Sequence, residues 1–238
     1  MKALILNSGL GKRMGYLTSE HPKCMTEIGE SDTILSRQLK LLHQCGIDNI
    51  VMTTGLFDEI LVDYCKSLNL PLQYTFVKNP IYDKTNYIYS IYLARECIYD
   101  DIVLMHGDLV FEECVLDDVL SQSKSIMTVS STIPLPPKDF KAVIKNGLIH
   151  KVGVEFFDNA VAAQPLYKIS KEDWQVWLDQ IIVYCENGQV SCYAENAFNE
   201  VSDRCHIYPF DFTNRLCAEI DTQEDLEIIK QKLRKLNQ

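Results

Sequence analysis

The first apolar run of the chain leads into Leu6-Asn7-Ser8-Gly9-Leu10-Gly11-Lys12-Arg13-Met14, and Pro22-Lys23 follows shortly after. Glycines at 9 and 11 let backbone N–H groups come close to a phosphate, because no Cβ stands in the way. Lys12, Arg13 and Lys23 bring the positive charge such an anion needs, and the guanidinium adds a fork of donors matched to phosphate oxygens. A triphosphate would fit this loop, although for two glycines alone an ordinary turn with solvated cations is the better reading. Two common phosphate motifs do not match. A dinucleotide fingerprint needs a third glycine at position 14, which is Met14, and a P-loop needs Gly-Lys-Ser/Thr at the proper spacing.

Two aspartates could hold a counter-ion for bound phosphates. Asp108 ends the segment His106-Gly107-Asp108, where a hard carboxylate oxygen suits Mg²⁺ and Gly107 would clear space for substrate. An aspartate beginning a turn explains the same residue equally well. Asp221 lies in Ala218-Glu219-Ile220-Asp221-Thr222-Gln223-Glu224-Asp225-Leu226, where Asp221 with Glu224, or Thr222 with Asp225, spells a helix capping box. The residues alone leave both alternatives open. The five histidines, His21, His43, His106, His150 and His206, are dispersed, and only His106 falls near these groups. The chain lacks G-x-S-x-G and any Cys/His signature, so nothing implies a covalent nucleophile.

Such groups need a scaffold, and the hydrophobic periodicity describes one. Lys2 to Asn7, Asn49 to Thr54, Leu72 to Val77 and Ile102 to His106 predict strands. Helices are predicted between them, over about Thr33 to Cys45, Asp58 to Leu68 and Asn86 to Ile98, the first stopping at Gly46. This alternation argues for a mostly parallel sheet covered on both faces. Ligands collect outside the carboxyl ends of such strands, so the glycine loop, Thr54-Gly55 and Asp108 should share one crevice. The second half is less regular: Ile126 to Thr132, Ala142 to Lys145 and Leu148 to Val152 predict strands, the last two joined by the hairpin signal Asn146-Gly147. The sheet is therefore expected to be mixed. Ser170-Lys171-Glu172-Asp173 opens a helix with Trp174, Trp177, Leu178, Ile181 and Ile182 on its apolar stripe, and a last strand, Leu216 to Ile220, runs into a helix starting near Thr222.

Composition bounds the function. No Gly-, Ser- or Pro-rich stretch divides the 238 residues, so one domain is expected, and 47% hydrophobic residues can bury a substantial core. With 23 Lys plus Arg against 33 Asp plus Glu, the net charge of −10 has the wrong sign for a nucleic-acid partner. A few concentrated cations and a metal ion can still bind a small nucleotide. The nine cysteines, without a C-x-x-C pair, read as scattered reduced thiols, and the four apolar residues Ala3 to Leu6 are too few for a signal segment or membrane span. A cytoplasmic location is the expectation.

The pattern G-x-G-x-R-M followed by Pro-Lys resembles the signature of the sugar-nucleotide pyrophosphorylase and cytidylyltransferase superfamily of nucleotidyltransferases. The resemblance implies a Rossmann-like α/β fold of the nucleotide-diphospho-sugar transferase type. Residues 1–110 or so would bind the nucleotide, and about 111–238 would carry the acceptor site and the second metal aspartate. It assigns triphosphate binding to Leu6, Asn7, Ser8, Gly9, Gly11 and Lys12. Catalytic roles fall to Arg13, gripping the β and γ phosphates, and to Lys23, reaching the α-phosphate. Ser8 departs from the usual alanine. Asp108 follows the strand that carries the superfamily's metal aspartate, and Glu219-Ile220-Asp221-Thr222 looks like its E-I-D-T segment, so Asp108 and Asp221 are the implied Mg²⁺ ligands.

Between them, Asn79-Pro80-Ile81-Tyr82, then Thr85-Asn86 and the helix with Ser90, is similar to the small bacterial cytidylyltransferases acting on phosphocholine or on phosphonates such as 2-aminoethylphosphonate. Without that likeness, Asn86 reads as a helix cap and the tyrosines as a packed face. The likeness implies CTP as donor, with Thr54, Gly55, Asn86 and Ser90 near the base, and a small phosphate or phosphonate acceptor, in a monomer or homodimer. Glu195, Phe198 and Glu219, with Glu155, Phe156 and Phe157, are candidate walls for an amine-bearing acceptor. A hexose-1-phosphate nucleotidylyltransferase using UTP or dTTP, and a catalytically silent nucleotide-sensing relative, are the alternatives.

Overall fold

The computed structural model describes residues 1–29 and 31–236. Strands β1 (Lys2–Leu6), β2 (Asn49–Thr54), β3 (Gln73–Lys78) and β4 (Ile102–His106) are parallel, with β1 between β2 and β4. Side chains alternate across a strand, so β1 serves two cores at once. Leu4 and Leu6 pack with Ile88 and Ile91 of helix α3 (Tyr87–Ala94) on one face. Ala3 and Ile5 pack with Leu35, Leu39 and Leu42 of helix α1 (Ile34–Gln44) on the other. Burial on both faces explains why β1 and β4 are nearly continuous apolar runs, while β3 at the sheet edge is not. Helix α2 (Asp58–Ser67) connects β2 to β3. Helix α3 is shorter than expected, ending at Ala94 and tightening into a 3₁₀ turn over Arg95–Cys97.

The second half adds β5 (Leu109–Phe111), α4 (Glu113–Ser121), β6 (Ile126–Ser130), β7 (Lys141–Lys145), β8 (Leu148–Gly153) and β9 (Ala160–Ile169). These are followed by α5 (Lys171–Glu186), α6 (Ala194–Val201), β10 (Tyr208–Asp211), β11 (Cys217–Glu219) and α7 (Gln223–Leu236). The main sheet runs β10-β6-β9-β4-β1-β2-β3, with β9 antiparallel to both β4 and β6, and the β7–β8 hairpin joined through β7 to β9. It is one α/β domain with a mixed, mostly parallel sheet. At the hairpin turn Asn146 and Gly147 have φ of 54° and 76°, the left-handed pair that a two-residue Asn-Gly turn requires. Trp174 and Trp177 of α5 are fully buried, and their ring N–H groups donate to the carbonyls of Ile98 and Ala194.

Strand β9 is a departure from the sequence reading. It is rich in alanine and contains Pro165, which demotes a run as a strand candidate. The register with β6 slips between Met127 and Val129, opposite Pro165, so a bulge takes up the residue that cannot donate. The Thr128 hydroxyl bonds the carbonyls of Gln164 and Leu166 there. Strand β11 differs in another way. Rather than extending the main sheet, it forms a two-stranded antiparallel ribbon with β5, pairing Leu109 with Glu219, and the Ile220 N–H donates to the Asp108 carbonyl at 2.9 Å. No helix among the described residues is long and apolar enough to cross a membrane.

Candidate active site

The glycine loop leaves the carboxyl end of β1 and lines a cavity of about 260 Å³ with Leu6, Asn7, Gly9, Gly11, Lys12, Arg13, Lys23, Asp108 and Asp221. Gly11 has φ 61°, and a Cβ there would come within 3.2 Å of the Lys23 Cβ, so glycine is needed for both conformation and contact. A Cβ on Gly9 would meet nothing within 4 Å, which leaves the loop surface open to a ligand. Gly107 lines the same cavity and serves a second purpose as well. A Cβ there would lie 1.6 Å from Asn7 Oδ1, so the missing side chain makes room for the Asn7 amide.

Ser8 ties the loop down. Its hydroxyl lies 2.7 Å from Ser90 Oγ, and Asn79 Nδ2 donates to Ser90 Oγ at 3.0 Å and to Thr85 Oγ1 at 2.9 Å. Ser90 is therefore a buried strut beneath Ser8, not a surface for the base. Thr54 is likewise corrected: it is fully buried, and its hydroxyl bonds Asp58 at the start of α2. Gly55 backs the loop, since a Cβ would stand 2.6 Å from the Ser8 carbonyl oxygen. Asn86 caps α3, accepting from the Tyr87 N–H, and also lines a recess of about 170 Å³ with Ser8, Gly9, Tyr82 and Thr85.

The ribbon of β5 and β11 brings the charged groups together. Lys23 Nζ lies 2.6 Å from Asp108 Oδ2 and 2.6 Å from Asp221 Oδ1, and Arg13 Nη1 lies 3.0 Å from Asp221 Oδ2. Burial works to lower the Lys23 pKa, but Asp108 and Asp221 override it and hold the ammonium above its ordinary value. The capping question at Asp221 is resolved by Thr222. The Asp225 N–H donates to Thr222 Oγ1 at 3.2 Å and the Thr222 N–H to Asp225 Oδ2 at 2.7 Å, a capping box that leaves the Asp221 carboxylate facing the cations. Asp108 Oδ1 is buried and finds no hydrogen-bond partner among the described residues. Ligand atoms of His106, Asp108 and Glu219 lie within 4.8 Å of one another, and an orphaned carboxylate oxygen in such a cluster, with Asp221 across Lys23, fits a small hard cation such as Mg²⁺.

Across Arg13, Asp108 and Asp221 lies a second cavity of about 180 Å³, walled by Asn86, Tyr87, His106, Lys138, Asp139, Phe140, Tyr193 and Glu219. Its aromatic rings pack edge to face: Tyr87 with His106 at 4.9 Å, and Phe140 with Tyr193 at 5.1 Å. Burial and the nearby Asp221 push the Asp139 carboxyl up. Of the proposed walls, Glu219 is in place. Glu195 and Phe198 are not: Glu195 is buried under the wall, accepting from the Tyr87 and Tyr167 hydroxyls, and Phe198 packs 5.3 Å from Trp177 in the core. Glu155, Phe156 and Phe157 lie away from the cavity lining; Phe157 stands under the Lys141 ammonium at 4.2 Å. Phe140, Tyr193, Lys138 and Asp139 are the residues that sequence reading missed, since each stands outside any recognisable spacing or motif.

His106 Nδ1 lies 2.8 Å from Glu219 Oε1. Burial pulls the imidazole pKa down, but Glu219 and Asp108 outweigh it and leave it at about 9; burial and the Asp108 charge push Glu219 up to about 7. Both groups hold protons more tightly folded than unfolded. The His106 contribution to stability is thus full below its unfolded pKa of about 6.5 and lost as pH rises through 9. The melting temperature is expected to fall between pH 6.5 and 9, and His106→Asn to flatten that fall whatever its absolute stability; a parallel profile in thermal melts would contradict the pairing.

A glycine loop at the end of a parallel strand thus faces two aspartates and two cations. The MobA-like NTP transferase domain model matches residues 3–135, and the chain belongs to this family. It is 31% identical over 114 residues to the CTP:phosphoglutamine cytidylyltransferase of Campylobacter jejuni, covering 45% of this chain and 44% of that protein. It is 32% identical over 131 residues to the choline-phosphate cytidylyltransferase of Haemophilus influenzae, covering 55% and 54%. The matched stretch thus spans about half the length of these relatives. The structure of the CTP:phosphocholine cytidylyltransferase of Streptococcus pneumoniae superposes with a TM-score of 0.78 over 98% of both chains at 19% identity, a likeness of fold.

Proposed function

We propose that the chain is a cytidylyltransferase that transfers CMP from CTP to a small, amine-bearing phosphate or phosphonate and releases pyrophosphate. The observation that carries this reading is the convergence of Arg13, Lys23, Asp108 and Asp221 between the glycine-loop cavity and an aromatic, acidic one. A triphosphate suits the first cavity, where loop amides and cations are concentrated. An acceptor cation suits the second, where Tyr87, Tyr193 and Phe140 offer aromatic ring surface, and Asp139 and Glu219 offer charge. The recess beside Tyr82 and Asn86 suits the base. In this division about residues 1–110 bind the nucleotide, while later residues complete the acceptor wall and contribute Asp221.

The chemistry follows from charge. An acceptor oxygen, already anionic, attacks the α-phosphorus in line, so no general base is required. Lys23 neutralises charge growing on the α-phosphate, and Arg13 with the loop amides holds the departing pyrophosphate. Asp108 and Asp221 would hold Mg²⁺, which supplies electrostatic stabilisation of the phosphoryl oxygens.

Incubation with CTP, UTP, ATP, GTP or dTTP and with phosphocholine, 2-aminoethylphosphonate or glucose 1-phosphate, following pyrophosphate, tests the reading. CTP with an aminated acceptor is the expected pair. Turnover confined to glucose 1-phosphate with UTP or dTTP would hand the site to the hexose reading. Specific CTP binding without turnover of any acceptor would favour a nucleotide sensor.

A further inference from the structure

Lys23 stands in the gap between Asp108 and Asp221, its ammonium 2.6 Å from one oxygen of each. A divalent cation bridging those same two oxygens would take the place of the ammonium. The Lys23 charge therefore opposes a second cation between the carboxylates. The lysine also has somewhere else to go. It lines the glycine-loop cavity, and its four-carbon stem starts against Gly11, so the ammonium can pivot from the carboxylates towards a phosphate in the loop.

The geometry points to Lys23 as a displaceable counter-cation that couples metal binding to nucleotide binding. This rests on the reading of Asp108 and Asp221 as the metal's carboxylates and of the loop as the triphosphate site. With the loop free of phosphate, Lys23 neutralises both aspartates and keeps a divalent ion off them. A triphosphate in the loop draws the ammonium away and opens the carboxylates, so nucleotide and metal each strengthen the other's binding. Arg13, 61% exposed and 3.0 Å from Asp221, is a second and looser partner of the same carboxylate.

Mn²⁺ serves as the probe, since its free-ion signal in electron paramagnetic resonance reads binding without turnover. Wild type and Lys23→Met are titrated with Mn²⁺ alone and with Mn²⁺ plus a non-hydrolysable CTP analogue, correcting for Mn²⁺ bound to the analogue in solution. Lys23→Met is expected to bind Mn²⁺ alone at least about tenfold more tightly than wild type, within the ~5–150-fold range of ordinary coupling between sites, and to gain less from the analogue. Equal or weaker Mn²⁺ binding by Lys23→Met, with binding still lost in Asp108→Asn, would overturn the counter-cation role and leave the metal assignment standing. Undiminished Mn²⁺ binding in Asp108→Asn would overturn both. Should Lys23→Met not fold, wild type still decides the matter: failure of the analogue to tighten Mn²⁺ binding beyond the analogue's own contribution refutes the coupling.

Discussion

Replacing Asp108 by asparagine is expected to lower kcat by at least about a hundredfold while the protein melts within about 4 °C of wild type. Asp108 is where the site's demands converge. Its Oδ2 meets Lys23, its Oδ1 is buried without a partner, and its charge adds to the forces raising Glu219. Asparagine keeps the shape and one acceptor oxygen but removes the charge a metal would bind. Stability should change little, because losing one of three neighbouring carboxylates relieves repulsion while Lys23 retains Asp221. Wild-type turnover by Asp108→Asn, or full activity in excess EDTA, would refute the assignment. A loss of activity accompanied by collapse of the fold would instead make Asp108 structural.

The second large effect is expected at Lys23. Charge builds on the α-phosphate as the bond to pyrophosphate breaks, so an ammonium aimed there contributes more to the transition state than to the bound substrate. Lys23→Ala should therefore reduce kcat by about a hundredfold and shift KM for CTP by less than about tenfold. A change confined to KM would make Lys23 a ground-state phosphate clamp. Lys23→Arg is a sharp companion test, because a planar guanidinium restores the charge but not the compact point donor that reaches two carboxylates at 2.6 Å.

What the sequence discloses about this molecule depends on distance along the chain. The glycine loop is legible because its glycines and cations are contiguous, and β1 to β4 because apolar runs alternate with helical patterns at ordinary spacing. Asp108 is found because a strand ends there. The wall of the second cavity is a different matter. Phe140 lies at the edge of β7 and Tyr193 just before α6, and both reach the cavity only through the pairing of β7 with β9 and the packing of α6 on α5. Pro165 conceals β9, so nothing local announces that arrangement. Phe198 shows the converse: the sequence does not announce α6 or its phase, so an aromatic that faces Trp177 looks the same as one that faces a cavity. Ser8 is informative for the same reason, since its bond to Ser90 joins segments far apart in sequence.

The two-stranded ribbon of β5 and β11 sets the order in which the site can come into being during synthesis. Asp221 is translated more than a hundred residues after Asp108, and the ribbon that aligns them requires Cys217 to Glu219 to lie along Leu109 to Phe111. A nascent chain halted between Asp108 and that stretch would already carry the loop, its cations and Asp108, yet would lack the second carboxylate. Such a fragment would hold one half of the proposed site without the other. The pairing of Asp108 with Asp221 is thus absent from polypeptides that end before Cys217, and the loop-closure cost of this long-range contact makes it a late event in folding.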